Sequence, residues 1–246
     1  MKKFIVTLVM ATFLLPGNVL AEKIRLAAMR DFPPFQYREG KQMTGIDVDM
    51  VREVCKRLGI EPEFKVVPWK RALKIAKKGD VTGILTALHK EERTKFLYYT
   101  TEAIHTQKNV IMARKGSGLM KVSSLDDLKG KTVGVVRGFS YGQEFDNYQG
   151  LKKTVCNNQE DMMRIMNIGR IDAALSPEKP FLFNSRRFGL QNRFEVVYVI
   201  TEHPAYTVFS KAIGEKGRVL AEKFDNILKQ MKKEGIEQQI IDKYMK

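Results

Sequence analysis

Residues 68–100 constrain the fold more than any other part of the chain. Their first part has apolar residues at helical spacing and ends at Gly79, which predicts a short helix with a left-handed glycine cap. The apolar residues 81–86 predict a buried parallel strand. Arg93 comes just past the carboxyl end of that strand, where open α/β sheets bind ligands. We therefore predict that Arg93 and Trp69, which starts the helix, form two walls of one small-molecule site.

Residues 1–21 have the features of a secretory signal peptide. Lys2 and Lys3 give a positive start, and the mostly apolar residues 4–15 are fewer than the roughly 20 that span a bilayer. No cysteine follows the apolar run, which argues against a lipoprotein anchor. We expect cleavage after Ala21 and export, most simply to a bacterial periplasm. An uncleaved anchor helix is the alternative.

The chain is strongly basic, with a formal net charge of +15. A basic exported protein can meet nucleic acid, anionic lipid or an acidic ligand. Its cations are spread along the sequence, and no basic-aromatic motif or helix-turn-helix signature is present. The charge therefore indicates a solvated basic surface, and we expect no nucleic-acid partner.

Cysteine and histidine usage gives no sign of a metal or cofactor. Cys55 and Cys156 could pair in an oxidising compartment, but Cys55 lies on the apolar face of a predicted helix, which favours a packed free thiol. No Cys-x-x-Cys pair occurs, and the three histidines lack metal-ligand spacing. We expect no bound metal and no cofactor.

Strand and helix patterns alternate through the first third of the chain. Residues 23–29 alternate apolar and polar side chains and predict a strand, which the rigid loop 31–37 follows. Asp47 is predicted to cap a helix that ends near Gly59, and residues 64–67 predict the next strand. This order indicates parallel strands joined by crossover helices.

The rest of the chain shows a second set of the same kind. Residues 124–130 predict a short capped helix, and residues 169–175 repeat the helix-end and strand pattern of residues 79–85. Two amphipathic helices are predicted at the carboxyl terminus. Further strands are predicted at 108–114, at 131–136, near 154–155, and separately at 194–200 and 206–209. The fold class is therefore α/β.

Several short motifs, in a fixed order over essentially the whole mature chain, resemble those of the extracellular solute-binding proteins of the polar amino-acid class, which serve ABC importers. Each motif is weak alone, whereas their order and spacing together are specific. The motifs are DFPPF at 31–35, GIDVD at 45–49, ER at 92–93, LDDLKGKTVGV at 125–135, GRIDA at 169–173 and GI at 235–236.

The resemblance implies a periplasmic-binding-protein fold of type II with two lobes. One lobe would comprise residues 22–107 and 205–246, and the other residues 108–204. Each lobe is a mostly parallel sheet flanked by helices, and two hinge crossings join them. Such proteins close their lobes about the hinge when a ligand binds. A monomer that contacts an inner-membrane ABC permease is the implied assembly.

The resemblance also implies which residues of the first lobe hold the ligand. Arg93 matches the arginine that binds a ligand carboxylate, for which a planar guanidinium is suited by its two parallel donors. A surface arginine beside two glutamates is the alternative. Phe32 and Trp69 match the aromatic rings that sandwich the ligand, although both could instead be core residues. Thr86, at the end of the predicted strand, belongs to the same ligand-binding set.

In the second lobe the loop containing Arg137, Phe139 and Ser140 matches the segment that donates backbone N–H groups to the carboxylate. Ser140 could equally be a helix cap. Relatives usually supply an Asp for the ligand amine where this chain has Pro177. Glu178 could replace that Asp; otherwise the ligand lacks an α-amine or carries extra negative charge.

The resemblance thus implies a binding protein, not an enzyme, that captures a small anionic or zwitterionic solute such as an amino acid or related carboxylate. An enzyme on the same scaffold, such as a dehydratase-like one, would need a general acid or base in the cleft, and Glu178 and His89 are the only candidates. A sensory module that presents its liganded form to a receptor is a further alternative.

Overall fold

The computed structural model describes residues 22–29, 31–119, 122–137, 141 and 143–246. The predicted signal peptide lies outside these residues. The strands are β1 (Glu22–Ala28), β2 (Asp31–Phe32), β3 (Gln36–Glu39), β4 (Gln42–Thr44), β5 (Ile60–Val66), β6 (Gly83–Leu88), β7 (Leu97–Tyr99), β8 (His105–Arg114), β9 (Thr132–Val136), β10 (Lys152–Cys156), β11 (Ala173–Pro177) and β12 (Phe194–Ser210). The helices are α1 (Ile46–Leu58), α2 (Trp69–Lys78), α3 (Glu91–Thr94), α4 (Gln143–Asn147), α5 (Gln159–Asn167), α6 (Glu178–Arg187), α7 (Glu215–Lys233) and α8 (Ile236–Met245), with 3-10 turns at Leu125–Leu128 and Lys211–Ile213.

One large mixed sheet holds nine of these strands. Its order is β10-β9-β11-β8-β12-β6-β1-β5, and β7 also pairs with β12. Strand β1 is parallel to β5 and β6, and β9 is parallel to β10 and β11, which confirms the predicted parallel pairs. Strand β12 runs antiparallel to its partners β6, β7 and β8. The long strand β12 therefore connects the two ends of the sheet.

Two helix ends are as predicted, whereas one helix start is not. Gly59 and Gly79 both cap their helices in the left-handed conformation. Asp47 was expected to cap α1, but Gly45 holds that position and Asp47 lies inside the helix. The reason is that the carbonyls of Pro34 and Phe35 already accept from the backbone N–H groups of Ile46 and Asp47. The Asp47 side chain is therefore free to bind elsewhere.

Three further segments differ from the sequence prediction. Residues 194–200 and 206–209 were expected to be separate strands, but they belong to the single strand β12. It stays continuous because β8 pairs with its first part and β6 and β7 with its last part. The predicted loop 31–37 includes β2 and the start of β3, which form a small sheet with β4. Helix α6 was not predicted.

The buried apolar side chains of the described residues form four clusters, and each cluster takes its buried residues from one end of the sheet. Two clusters lie on opposite faces of β1 and β6, one against α1, α7 and α8 and the other against α2. The other two lie on opposite faces around β8, β9 and β11. The two ends of the sheet thus have separate cores.

Both cysteines are buried and free, so the packed-thiol alternative holds for Cys55 and Cys156. Burial raises the pKa of the Cys55 thiol to about 12. None of the helices that the structure describes combines the length and the apolar composition of a transmembrane span.

Strands β6 and β12 approach each other closely at Gly83. A Cβ atom placed there would lie 2.1 Å from the carbonyl oxygen of Val208. We therefore expect Gly83→Ala to lower the free energy of unfolding by about 3 kcal/mol, because the two strands would have to separate. Urea unfolding measures this. In the control Gly40→Ala, the new Cβ meets no atom within 4 Å and only the positive φ of 61° is unfavourable, at about 1 kcal/mol. Equal losses of unfolding free energy in Gly83→Ala and Gly40→Ala would contradict the predicted clash at Gly83.

Asp49 joins α8 to α1. It accepts hydrogen bonds from the Tyr244 hydroxyl at 2.6 Å and from Lys243 Nζ at 2.7 Å. Burial acts to raise the pKa of Asp49, but the hydrogen bonds from Lys243 and Tyr244 outweigh it and hold the pKa below its ordinary value of 3.8.

A lowered carboxylate pKa gives stability that is present above the ordinary pKa and is lost as the pH falls through the folded-state value. We expect Asp49→Asn to lower the free energy of unfolding by about 1 kcal/mol at neutral pH. The difference from the wild-type protein should shrink below about pH 4, as the wild-type carboxylate becomes protonated. Urea midpoints measured between neutral pH and about pH 3 test this, and a constant difference would contradict it.

Candidate ligand-binding site

Arg93 and Trp69 lie against each other at the carboxyl end of β6. Trp69 is the first residue of α2, and Arg93 belongs to the short helix α3 that follows β6. The Arg93 guanidinium carbon lies 5.0 Å from the centroid of the Trp69 ring, which is a cation–π contact. The predicted juxtaposition of these two side chains is therefore confirmed. Their role in binding a ligand stays a prediction.

The Arg93 side chain is buried, with 8% of its surface exposed. Its Nη1 donates a hydrogen bond to the carbonyl oxygen of Leu88 at 2.9 Å. Its buried Nε has no acceptor among the described residues. The alternative of a surface arginine is thus excluded by its burial, and the guanidinium retains capacity for an acceptor that the described protein does not supply.

A second aromatic side chain, Tyr99, lies beside this guanidinium. The Tyr99 hydroxyl donates to the same Leu88 carbonyl at 3.2 Å, and the Tyr99 ring lies 4.9 Å from the ring of His89. Burial raises the pKa of Tyr99, which the charge of Arg93 partly opposes. Tyr99 therefore remains a neutral hydrogen-bond donor beside Arg93.

A second buried cluster contains Thr86, two residues before Leu88. The Thr86 hydroxyl donates to Asp47 Oδ2 at 2.6 Å, and His105 Nδ1 lies 2.7 Å from Asp47 Oδ1. Asp47 has no exposed surface, and the described residues leave His105 Nε2 without a partner. Asp47 and His105 were not predicted from the sequence as partners of Thr86. The only available signals were the GIDVD motif and a histidine that had no metal-ligand spacing.

Phe32 lies next to this second cluster and is linked to it through Phe35. Its ring stacks on Phe35 with centroids 5.3 Å apart, and Phe35 stacks on His105 at 3.8 Å. Phe32 is half-buried, as is Trp69, so each ring has both a packed and an accessible part. Both rings therefore pack in part against the core, and their contact with a ligand stays a prediction.

A cavity of about 540 Å³ opens beside Trp69. It is the right size for a small ligand, since such pockets measure roughly 300–1,000 Å³. Arg93, Thr86 and Phe32 are not among the residues that line it. Its lining residues are Met29, Asp31, Arg38, Val66, Val67, Pro68 and Trp69.

Of the four ligand-binding residues predicted in the second lobe, two lie within the described part of the chain. Arg137 is exposed at the end of β9, and its backbone N–H donates to Cys156. Phe139 and Ser140 lie outside the described residues. Glu178 is the half-buried first residue of α6. The described residues include no group of three or more His, Cys, Asp or Glu side chains that could hold a metal ion.

Helix α6 contacts the small sheet formed by β2, β3 and β4. Its Phe183 ring contacts the Tyr37 ring of β3, with centroids 5.6 Å apart. Because β3 pairs with β2, which contains Phe32, this contact puts the helix of Glu178 beside the hairpin of Phe32.

Comparisons with known proteins give a consistent result. The model of the family "Bacterial extracellular solute-binding proteins, family 3" matches residues 24–246. The arginine-binding extracellular protein ArtP of Bacillus subtilis is 27% identical over 217 residues, which is 87% of this chain and 82% of that protein. The histidine-binding periplasmic protein of Salmonella typhimurium is 26% identical over 164 residues, 65% of this chain and 62% of that protein.

A solved structure shares the fold. Substrate-binding domain 2 of Lactococcus lactis GlnP, in an open conformation, superposes with a TM-score of 0.72. The superposition covers 91% of this chain and 95% of that one, at 23% sequence identity. At this identity the likeness concerns the fold alone.

Proposed function

Because the chain belongs to the bacterial extracellular solute-binding proteins of family 3, we propose that it captures an amino acid and delivers it to the membrane permease of an ABC importer. Members of this family are binding proteins, so the chain binds its solute without converting it. Relatives named for binding arginine and histidine support an amino-acid ligand here.

The buried guanidinium of Arg93 is the observation that carries this proposal. A buried cation without a charged partner is unfavourable, because desolvation costs several kcal/mol per ion. A ligand carboxylate would supply the opposite charge and accept two parallel hydrogen bonds from the planar guanidinium. We therefore assign Arg93 as the anchor of the ligand carboxylate. Trp69 and Phe32 would pack the aliphatic part of the ligand.

Two lobes that close on the ligand are part of the proposal. One lobe would comprise residues 22–107 and 205–246, and the other residues 108–204. The separate apolar cores at the two ends of the sheet support this division. Strands β8 and β12 would contain the hinge, because they lie between the two ends of the large sheet in its strand order. Closure would bring the second-lobe residues Arg137, Phe139, Ser140 and Glu178 to the ligand.

The site would favour an amino acid over a plain anion. Asp31 and the Trp69 ring both line the cavity beside the site, and a carboxylate and an aromatic face each attract a cation. Arg38 on the same wall partly offsets the charge of Asp31. L-Arginine is therefore the first probe, and Glu178 would contact its α-ammonium group.

Extracellular or periplasmic location follows from the family, and we propose the periplasm for this chain. The positive start, short apolar run and small-residue end of residues 1–21 support export with cleavage after Ala21. The mature monomer would then meet the periplasmic face of its permease.

A ligand screen tests the proposed function. Native mass spectrometry of the mature protein detects a co-purified ligand, and a thermal-shift panel compares amino acids, plain carboxylates and phosphorylated compounds. At a ligand concentration of 100 times Kd, binding adds about 2.7 kcal/mol of stability. This corresponds to a rise in Tm of roughly 5–10 °C for a chain of this size. A response to dicarboxylates without any response to amino acids would overturn the amino-acid assignment.

A further inference from the structure

The buried cluster of Thr86, Asp47 and His105 has a fixed direction of hydrogen bonding. An ionised carboxylate only accepts hydrogen bonds, so the 2.6 Å contact between Thr86 Oγ1 and Asp47 Oδ2 uses the hydroxyl proton of Thr86. His105 Nδ1 holds the other carboxylate oxygen at 2.7 Å. The Asp47 backbone N–H is bound to the carbonyl of Phe35, which further limits movement of this residue.

With its proton committed to Asp47, the Thr86 hydroxyl can offer a ligand only its lone pairs. It is therefore an acceptor, and the negative charge of Asp47 behind it strengthens the attraction for a donor. The cluster is buried, and a hydrogen bond is electrostatically stronger in such surroundings than in water. A ligand N–H group, above all an ammonium, matches this polarity.

The position of Thr86 relative to the carboxylate anchor fits an α-amino acid. Thr86 precedes Leu88 by two residues on β6, and the Leu88 carbonyl holds the Arg93 guanidinium. Two residues along a strand span about 6–7 Å. This is the backbone distance from Thr86 to Leu88. Because the carboxylate and the ammonium of an α-amino acid are on adjacent carbon atoms, a ligand anchored at Arg93 would hold its ammonium at the same end of β6 as Thr86. Arg93 would bind the negative group of a zwitterion, and the Thr86 hydroxyl, which is hydrogen-bonded to the Asp47 carboxylate, would bind its positive group.

We propose that Asp47 and His105 are positioning residues that fix the hydroxyl of Thr86 as the hydrogen-bond acceptor for the α-ammonium group of the ligand. This inference rests on the proposed function, because it needs an amino acid whose carboxylate is at Arg93. It makes the amine contact independent of the second lobe, so the open protein already selects α-amino acids. Glu178 would add a second contact to the same ammonium after closure.

Two probes that differ only in the α-ammonium group test the inference. Titration calorimetry gives Kd for L-arginine and for 5-guanidinopentanoate, which has the same carboxylate and side chain but no amine. We expect the wild-type protein to prefer L-arginine roughly 10- to 100-fold, the usual effect of a hydrogen bond to a charged group. Thr86→Val should reduce this preference about tenfold or more. The separate variant Thr86→Ser keeps the hydroxyl and should retain most of the preference.

Asp47→Asn tests the positioning role itself. Because His105 Nδ1–H retains the amide oxygen, the amide NH₂ group faces Thr86 and donates to it. The Thr86 proton then turns toward the ligand, and the preference for L-arginine should fall about tenfold while the Kd of 5-guanidinopentanoate changes less than threefold. His105→Phe keeps a ring against Phe35 but removes the Nδ1–H donor, and it should give an intermediate loss. The matched control Asp49→Asn, in the same helical turn, should leave the preference unchanged.

The outcomes separate this inference from the proposed function. An equal loss of affinity for both probes in Asp47→Asn and Thr86→Val would show a merely structural role and overturn the inference. An unchanged preference in both variants would do the same. Arg93→Ala should weaken both probes by similar factors; if it weakens neither, the proposed function fails, whatever the Asp47 variant does.

Discussion

Arg93→Ala is expected to weaken the binding of L-arginine by about 100-fold or more. Charge-assisted hydrogen bonds contribute about 1.5–3 kcal/mol each, and a bidentate carboxylate contact loses two of them. Titration calorimetry of the mature protein measures the change. Arg93→Lys should lose about tenfold, since an ammonium keeps the charge but not the planar pair of donors.

Arg52 provides a matched control for this prediction. Its guanidinium also lies over an aromatic ring, 5.6 Å from the centroid of Phe64, and it also donates to a backbone carbonyl, that of Met43. We expect Arg52→Ala to change the Kd by less than about threefold, because Arg52 pairs with Asp49 and packs on β5, which β1 separates from β6 in the sheet. Unchanged affinity in Arg93→Ala would remove Arg93 from the site.

Asp47→Ala is expected to lower the free energy of unfolding by about 3–5 kcal/mol. Asp47 has no exposed surface, and its removal leaves both Thr86 and His105 without their buried partner. Urea unfolding of the ligand-free protein measures the loss. Asp49→Ala, in the same turn of α1 but with partly exposed partners, should cost only about 1 kcal/mol.

The double variant Asp47→Ala, His105→Phe separates the pair from its surroundings. If the two side chains stabilise each other, the combined loss should be smaller than the sum of the single losses by about 1 kcal/mol or more. Strictly additive losses would show that Asp47 and His105 act independently. A single loss below about 1 kcal/mol for Asp47→Ala would show that the buried carboxylate is not needed for stability.

Features set by neighbouring residues were predictable from the sequence. Gly59 and Gly79 end their helices as expected, because a left-handed cap depends on one residue and the turn before it. The position of Arg93 beyond the end of β6, beside Trp69, followed from the same local order of helix, strand and helix. The family itself was recognisable because its motifs keep their order along the chain.

Features that depend on distant partners were not predictable. Asp47 has the residue type of a helix cap, but its side chain meets residues 39 and 58 positions away, and nothing local signals that pairing. Strand β12 appeared to be two strands because its continuity depends on different partners on its two edges. Helix α6 begins at the Pro177–Glu178 junction, where the sequence pattern was interpreted only as a departure from the family.

The sequence by itself thus determined the α/β class, the helix ends and the residues at the end of β6, since periodicity and capping act within a few residues. Only the tertiary structure decided that Thr86, Asp47 and His105 form one hydrogen-bonded cluster. The reason is that burial removes water as a partner, so these polar groups must find each other across the fold.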